Sequence, residues 1–105
     1  MKAISEDMRV TVGSGDIFAD LGFSPTEARN LHLRSELMTV MLKFIEKHRL
    51  NQAEAARLLK VSQPRISDLK RGKLSRFSLD SLVNMLTDAG LRVDLRVKPP
   101  SRRAA

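Results

Sequence analysis

Four times in this 105-residue chain an apolar residue, a side-chain oxygen acceptor and a helix-favouring pattern follow one another: "FSPTE", "LNQAE", "VSQPR" and "FSLDS". No other feature limits the fold as much. An oxygen acceptor at the start of a helix takes a hydrogen bond from an N–H that the helix itself leaves unpaired. Ser24 is followed by Pro25 at the first helical position and by Glu27, which can close a capping box; Asn51 and Glu54 repeat that box. Phe77, just before Ser78, is spaced to staple onto Leu82. Four such starts predict four helices.

The apolar periods agree with the caps. The first helix is expected from about Pro25 to His48, with Leu31, Met38, Met41, Phe44, Ile45 and His48 on or near one stripe and room for a break near Ser35. The second, Gln52 to about Leu59, carries Ala53, Ala55 and Ala56, small enough for a neighbouring helix to approach closely. The third follows Ser62 and ends at Gly72, turning only Ile66 and Leu69 inward. The fourth runs from Leu79 to Ala89, with Leu79, Leu82, Val83 and Leu86 inward and Gly90 as its stop.

After Gly90 the period drops to two. Leu91, Val93, Leu95 and Val97 alternate with Arg92, Asp94 and Arg96, which predicts a half-buried β-strand. A lone strand leaves its backbone groups unpaired, so it needs a partner. Val10–Val12, the equivalent strand of a second copy, and another protein are the three candidates. The expected organisation is a polar, partly flexible arm over 1–16, one domain over 17–98, and a basic disordered tail over 99–105.

Charge sharpens the question of function. The net charge is +7, and residues 57–76 hold seven bases (Arg57, Lys60, Arg65, Lys70, Arg71, Lys73, Arg76) against Asp68, a local +6. Five more bases between Arg92 and Arg103 face Asp94 alone. A patch of this kind attracts polyanions and is the electrostatic footprint of nucleic-acid binding, although a merely solvated basic surface looks the same in composition. With no cysteine, disulfides and thiolate metal sites are excluded. No apolar run is long enough for a membrane span, and "MKAISEDMRV" lacks the apolar core of a secretion signal. His32 and His48 are too far apart for one helical ligand pair, and no nucleophile elbow or phosphate-binding glycine loop occurs. No metal, cofactor or enzymatic activity is therefore expected, and the protein is expected in the cytoplasm.

Two short helices joined by a tight turn at Lys60-Val61, the second of them basic, form a helix-turn-helix. Burial of Leu58, Leu59, Val61, Ile66 and Leu69 would hold that unit against the first and fourth helices, leaving the polar face of the third outward. The stretch "LNQAEAARLLKVSQPRISDLKRGKLSRFSLDSL" resembles the XRE/Cro group of bacterial and phage repressors. More narrowly, it is similar to the small single-domain members that serve as HigA-type antitoxins. One departure is Lys60, where the group often has glycine; a lysine there must accept the turn's backbone, left-handed conformation included, and is read as phosphate-facing.

The resemblance implies a mainly α, four- to five-helix, lambda-repressor-like domain with a short C-terminal strand. It also implies that Gln63, Pro64, Ser67 and Asp68 face base edges, with Arg65 divided between guanine and phosphate. Gln63 suits adenine, Asp68 suits cytosine N4, and Pro64 offers shape and apolar contact only. Gln52, Lys60, Ser62, Arg71, Lys73 and Arg76 are assigned to phosphates. Plainer roles stand beside these: Asp68 pairing with Arg65 or Arg71, Pro64 filling a first turn, Ser62 capping, Gln52, Lys73 and Arg76 simply solvated. The implied function is a homodimeric repressor on a palindromic DNA operator, associated with the nucleoid when bound. It would also be the antitoxin partner of a RelE/HigB-like toxin. A stand-alone regulator without a toxin, and an interaction module that no longer binds DNA, are the alternatives.

Overall fold

A computed structural model of the chain describes residues 21–99. The expected arm over 1–16, its Val10–Val12 segment and the tail beyond Pro99 lie outside these residues. Among the described residues four α-helices follow one another: α1 (Pro25–Lys47), α2 (Gln52–Leu59), α3 (Gln63–Lys70) and α4 (Leu79–Asp88), with a 3-10 turn (Leu74–Arg76) before α4.

Three of the four starts are built as their residues dictate. The Ser24 hydroxyl accepts from the Glu27 N–H while the Glu27 carboxylate accepts from the Ser24 N–H and hydroxyl. Asn51 and Glu54 close the same reciprocal box at 2.8 and 2.9 Å. Ser78 caps α4 through the Ser81 N–H at 3.1 Å. Ser62 departs from the expectation: its side chain makes no capping bond. The Ser62 carbonyl accepts instead from Arg65 and Ile66 N–H. Pro64, the second helical residue, has no N–H to offer, which removes one of the two donors an N-cap hydroxyl normally meets.

The helix ends share one closure. Leu50 N–H donates to Ile45, Val61 to Ala56, Lys73 to Asp68 and Leu91 to Leu86, each reaching five residues back at 2.9–3.1 Å. This bond forms when the residue between is left-handed. Gly72 (φ +69) and Gly90 (φ +93) supply that conformation cheaply. Arg49 (φ 52) and Lys60 (φ 58, ψ 45) adopt it as L-residues, so the sequence expectation for Lys60 holds and Arg49 joins it. At three ends the residue after the left-handed one is apolar (Leu50, Val61, Leu91) and packs inward. At α3 that place is taken by Lys73.

The core joins α1 to α4 and α2 to α3. Met41, Phe44, Ala55, Leu59, Ile66, Leu69 and Leu82 are fully buried, and Phe77, Met85 and Leu86 nearly so. Leu31 and His48 only border the α1 stripe, Leu79 and Val83 are half-buried, and Ala28, Leu37 and Met85 are buried positions the periodicity missed. No break occurs at Ser35; α1 is continuous for 23 residues, with Thr39 donating its hydroxyl to the Ser35 carbonyl. Burying Ile66 and Leu69 contributes on the order of 1.5–3 kcal/mol each, which seats α3 on the core by two contacts.

The C-terminal strand expected over 91–97 is not formed; among the described residues there is no strand. The alternation survives only in part. Leu91 is buried and Val93 rests on the core, but Leu95 and Val97 are 73% and 94% exposed. Alternating side chains decide which way a strand faces, whereas the strand itself is a hydrogen-bonded ladder and needs a second segment alongside. Among the described residues nothing occupies that place.

Candidate nucleic-acid interface

Ile66 and Leu69 point α3 inward, so its opposite side is fixed by 100° per residue. Pro64 and Arg71 fall at the centre of that outer side, Ser67 and Asp68 lie about 50° to either side of it, and Gln63 stands at its edge. Gln63, Pro64 and Arg71 are exposed, and Ser67 is half-buried. The side chains of Gln63, Ser67 and Arg71 form no hydrogen bond or ion pair among the described residues, nor do those of Gln52, Arg57, Ser62 and Lys70. Polar groups so placed are satisfied by water or by a ligand.

The remaining predicted residues are already engaged. Arg65 donates from Nη1 to the Arg76 carbonyl at 2.6 Å, and its guanidinium lies 4.2 Å above the Phe77 ring. Asp68, with a side chain 16% exposed, meets Lys73 Nζ and Arg76 Nη1, each at 3.6 Å. An ion pair for Asp68 is therefore present, with loop partners and not with Arg65 or Arg71. Lys60 Nζ reaches Asp88 on α4 at 4.0 Å, both groups being substantially exposed, so its ammonium leans toward α4.

These contacts build the loop after α3. Gly72 turns the chain back, Lys73 and Arg76 come alongside the last turn of α3, and Asp68 sits between them. From behind, Arg34 on α1 donates Nη1 to the carbonyls of Leu74 (2.9 Å) and Phe77 (3.2 Å), and its Nε to Asn30 at 2.7 Å. Sequence reasoning missed Arg34. Its contacts span forty residues or more, and no local signal marks them. It missed Lys70 as well, a free cation at the C-terminal end of α3 that the run "LKRGK" does advertise.

The result is a polar and cationic surface. Gln63, Ser62, Pro64 and Ser67 offer short polar and apolar contacts along the N-terminal half of α3, and Arg71, Lys70, Lys73 and Arg76 offer cations at its far end. Asp68 partly neutralises the last two, so Arg57, Lys70 and Arg71 carry the unpaired positive charge. Among the described residues no cluster of His, Cys, Asp or Glu side chains is placed to hold a metal ion, and no helix is long and apolar enough to cross a membrane.

Residues 17–98 match the family model described as a helix-turn-helix domain. That match takes in all four helices and the segment after them. No curated protein matches the chain.

Proposed function

The chain belongs to the helix-turn-helix domain family, and on that premise we propose that it is a sequence-specific DNA-binding transcriptional repressor. The observation that carries this reading is the outer side of α3, where uncommitted polar groups lie beside unpaired cations. The N-terminal half of α3 enters the major groove and α2 crosses the backbone. Gln63 bonds an adenine edge, Pro64 meets a thymine methyl, and Ser67 bonds either kind of base. Ser62, its hydroxyl unused as a cap, donates to a phosphate beside the start of α3. Gln52, Arg71, Lys73 and Arg76 complete the phosphate set, and Lys60 contributes least because its ammonium reaches Asp88. Arg65 and Asp68 act chiefly by holding the loop that presents Lys73 and Arg76.

One recognition helix reads few base pairs, so the protein acts as a homodimer on a palindrome with half-sites about 10 bp, or a multiple of it, apart. Repression is steric, in the cytoplasm and on the nucleoid. The resemblance of "NQAEAARLLKVSQPRISDLKRGK" to HigA-type antitoxins supports a finer reading. In it the protein is the antitoxin of a type II toxin–antitoxin pair, represses its own operon and neutralises a RelE/HigB-like toxin. A neighbouring gene of about a hundred codons whose product co-purifies with this chain is the expected finding. Its absence would leave a stand-alone regulator.

A gel-shift titration over a salt series tests the DNA reading. Arg71→Ala with Lys73→Ala should weaken binding to all duplexes and lower the slope of log K against log salt by about 2, near 0.9 per phosphate contact. Gln63→Ala should relax sequence preference at one position, at about 1–3 kcal/mol of discrimination. If none of these substitutions changes DNA affinity, the fold serves as an interaction module.

A further inference from the structure

Asp68 is the one acid in the basic stretch 57–76, and its contacts oppose that charge directly. Its largely buried side chain lies on α3 about 50° from the centre of the outer side. Oδ1 faces Lys73 Nζ and Oδ2 faces Arg76 Nη1, each at 3.6 Å. One carboxylate thus occupies two loop cations, with one oxygen for each. A backbone phosphate offers the same chemistry, two free oxygens sharing a negative charge. The two cations are therefore already arranged around an anion of the kind that DNA supplies.

The turn after α3 builds this arrangement. Lys73 N–H donates to the Asp68 carbonyl at 3.1 Å, so the closure of the helix itself brings the lysine to Asp68. At the other three helix ends the corresponding residue is apolar and packs inward; here an ammonium folds onto a carboxylate instead. The hold is close without being tight. A charge-assisted N–H···O bond measures about 2.7–2.9 Å, and both contacts are longer, so they are Coulombic and exchangeable. The Lys73 and Arg76 side chains are 37% and 57% exposed, within reach of a phosphate arriving from solvent. Asp68 has no ready substitute for them. Arg65 is committed to the Arg76 carbonyl and the Phe77 ring, and Arg71 stands among the phosphate contacts.

We propose that Asp68 is an internal competitor for the DNA backbone, making the use of Lys73 and Arg76 conditional on the base beside α3. The proposal rests on the DNA reading above and adds to it a control on specificity. Any duplex that draws the two cations onto a phosphate strands a carboxylate at the edge of the groove. An ionised carboxylate can only accept hydrogen bonds. Opposite a cytosine N4 or adenine N6 amine it finds a donor, and the exchange is complete. Opposite a guanine or thymine edge it meets acceptors or a methyl group, and its charge is left to repel the DNA. Arbitrary sequence is thereby penalised and a matched site is not.

The test uses the full-length protein and two probes. One is a duplex of random sequence, the other a duplex that the unmodified chain selects from a randomised pool. In gel shifts at one salt concentration, Asp68→Asn should tighten binding to the random duplex roughly tenfold. It should leave the selected duplex within about twofold, so the ratio of the two affinities falls. Asp68→Ser removes the same charge with a smaller side chain and should lower the ratio likewise. Glu46→Gln removes an exposed acid outside the candidate interface and should leave the ratio unchanged. Equal tightening on both probes, or the same fall in ratio from Glu46→Gln, would overturn the proposal by reducing Asp68 to net charge. Weaker binding of both probes by Asp68→Asn would overturn it too, since a carboxylate that only holds the loop predicts that loss. An unmodified chain that binds no duplex, or selects no preferred sequence, would refute the repressor reading itself. Selective binding whose ratio is indifferent to Asp68 would refute the competitor alone.

Discussion

Replacing Lys60 with glycine separates two things the turn of the helix-turn-helix does at once. Lys60 sits at φ 58, ψ 45, where an L-side chain costs roughly 1–2 kcal/mol and glycine very little. Glycine gives back about 0.5–1 kcal/mol through its freer unfolded chain. The substitution also removes the 4.0 Å contact with Asp88, which at this exposure is worth on the order of 0–0.5 kcal/mol. The backbone term is the larger, so Lys60→Gly should stabilise the fold by about 0.5–1 kcal/mol. For a domain of this size that is a rise in Tm of about 3–6 °C. Lys60→Ala loses the same ion pair and keeps the strain, so it should show no rise. Circular dichroism melts of the three proteins at one concentration and salt decide the matter. An unchanged or lower Tm for Lys60→Gly, or an equal gain for Lys60→Ala, would show that the left-handed turn is not strained by its lysine. In the salt-series gel shift, Lys60→Gly should leave the slope nearly unchanged; a fall of about 0.9 would mean that Lys60 holds a phosphate after all.

Ser62→Ala should leave the melting temperature within experimental error, because no capping bond is lost, whereas Ser78→Ala should cost about 1 kcal/mol; equal losses would put the Ser62 hydroxyl back in the cap. Arg34→Met removes charge-assisted bonds to the carbonyls of Leu74 and Phe77. It should lower stability by about 1.5–3 kcal/mol in urea titrations, with a parallel loss of DNA affinity as Lys73 and Arg76 lose their support. Ile66→Ala, at a fully buried position, should cost about 2–5 kcal/mol. The same change at exposed Gln63 should leave stability within about 0.5 kcal/mol, so stability and sequence preference respond to opposite sides of one helix.

The parts of this molecule that could be read from the sequence are those whose partners lie within a few residues. Ser24 finds Glu27, Asn51 finds Glu54 and Ser78 finds the Ser81 N–H because a helix's first turn brings residues three apart together in any fold. The apolar stripes of α1 and α4 and the inward pair Ile66 and Leu69 follow from the helical period in the same way. The Ser62 cap failed although its signal looked the same: the Arg65 N–H three residues on, the kind of donor the other caps take, goes to the Ser62 carbonyl and not to its hydroxyl.

The candidate interface was legible as a list and not as an arrangement. Gln63, Pro64, Ser67 and Arg71 can be assigned to one side of α3 from spacing alone. That Asp68 would take Lys73 and Arg76 depends on where the chain goes after Gly72. That Arg34 would reach the same loop from behind depends on α1 crossing it. The segment from Leu91 to Val97 is the sharpest case: its alternation fixes two faces, yet a strand exists only when another segment supplies the hydrogen bonds. Sequence thus determined the helices, three of their four caps and the outward character of α3, because short-range geometry is nearly independent of fold. Tertiary structure alone decided which charges are spent on one another and which remain free, because those energies depend on distances between residues that only folding brings together.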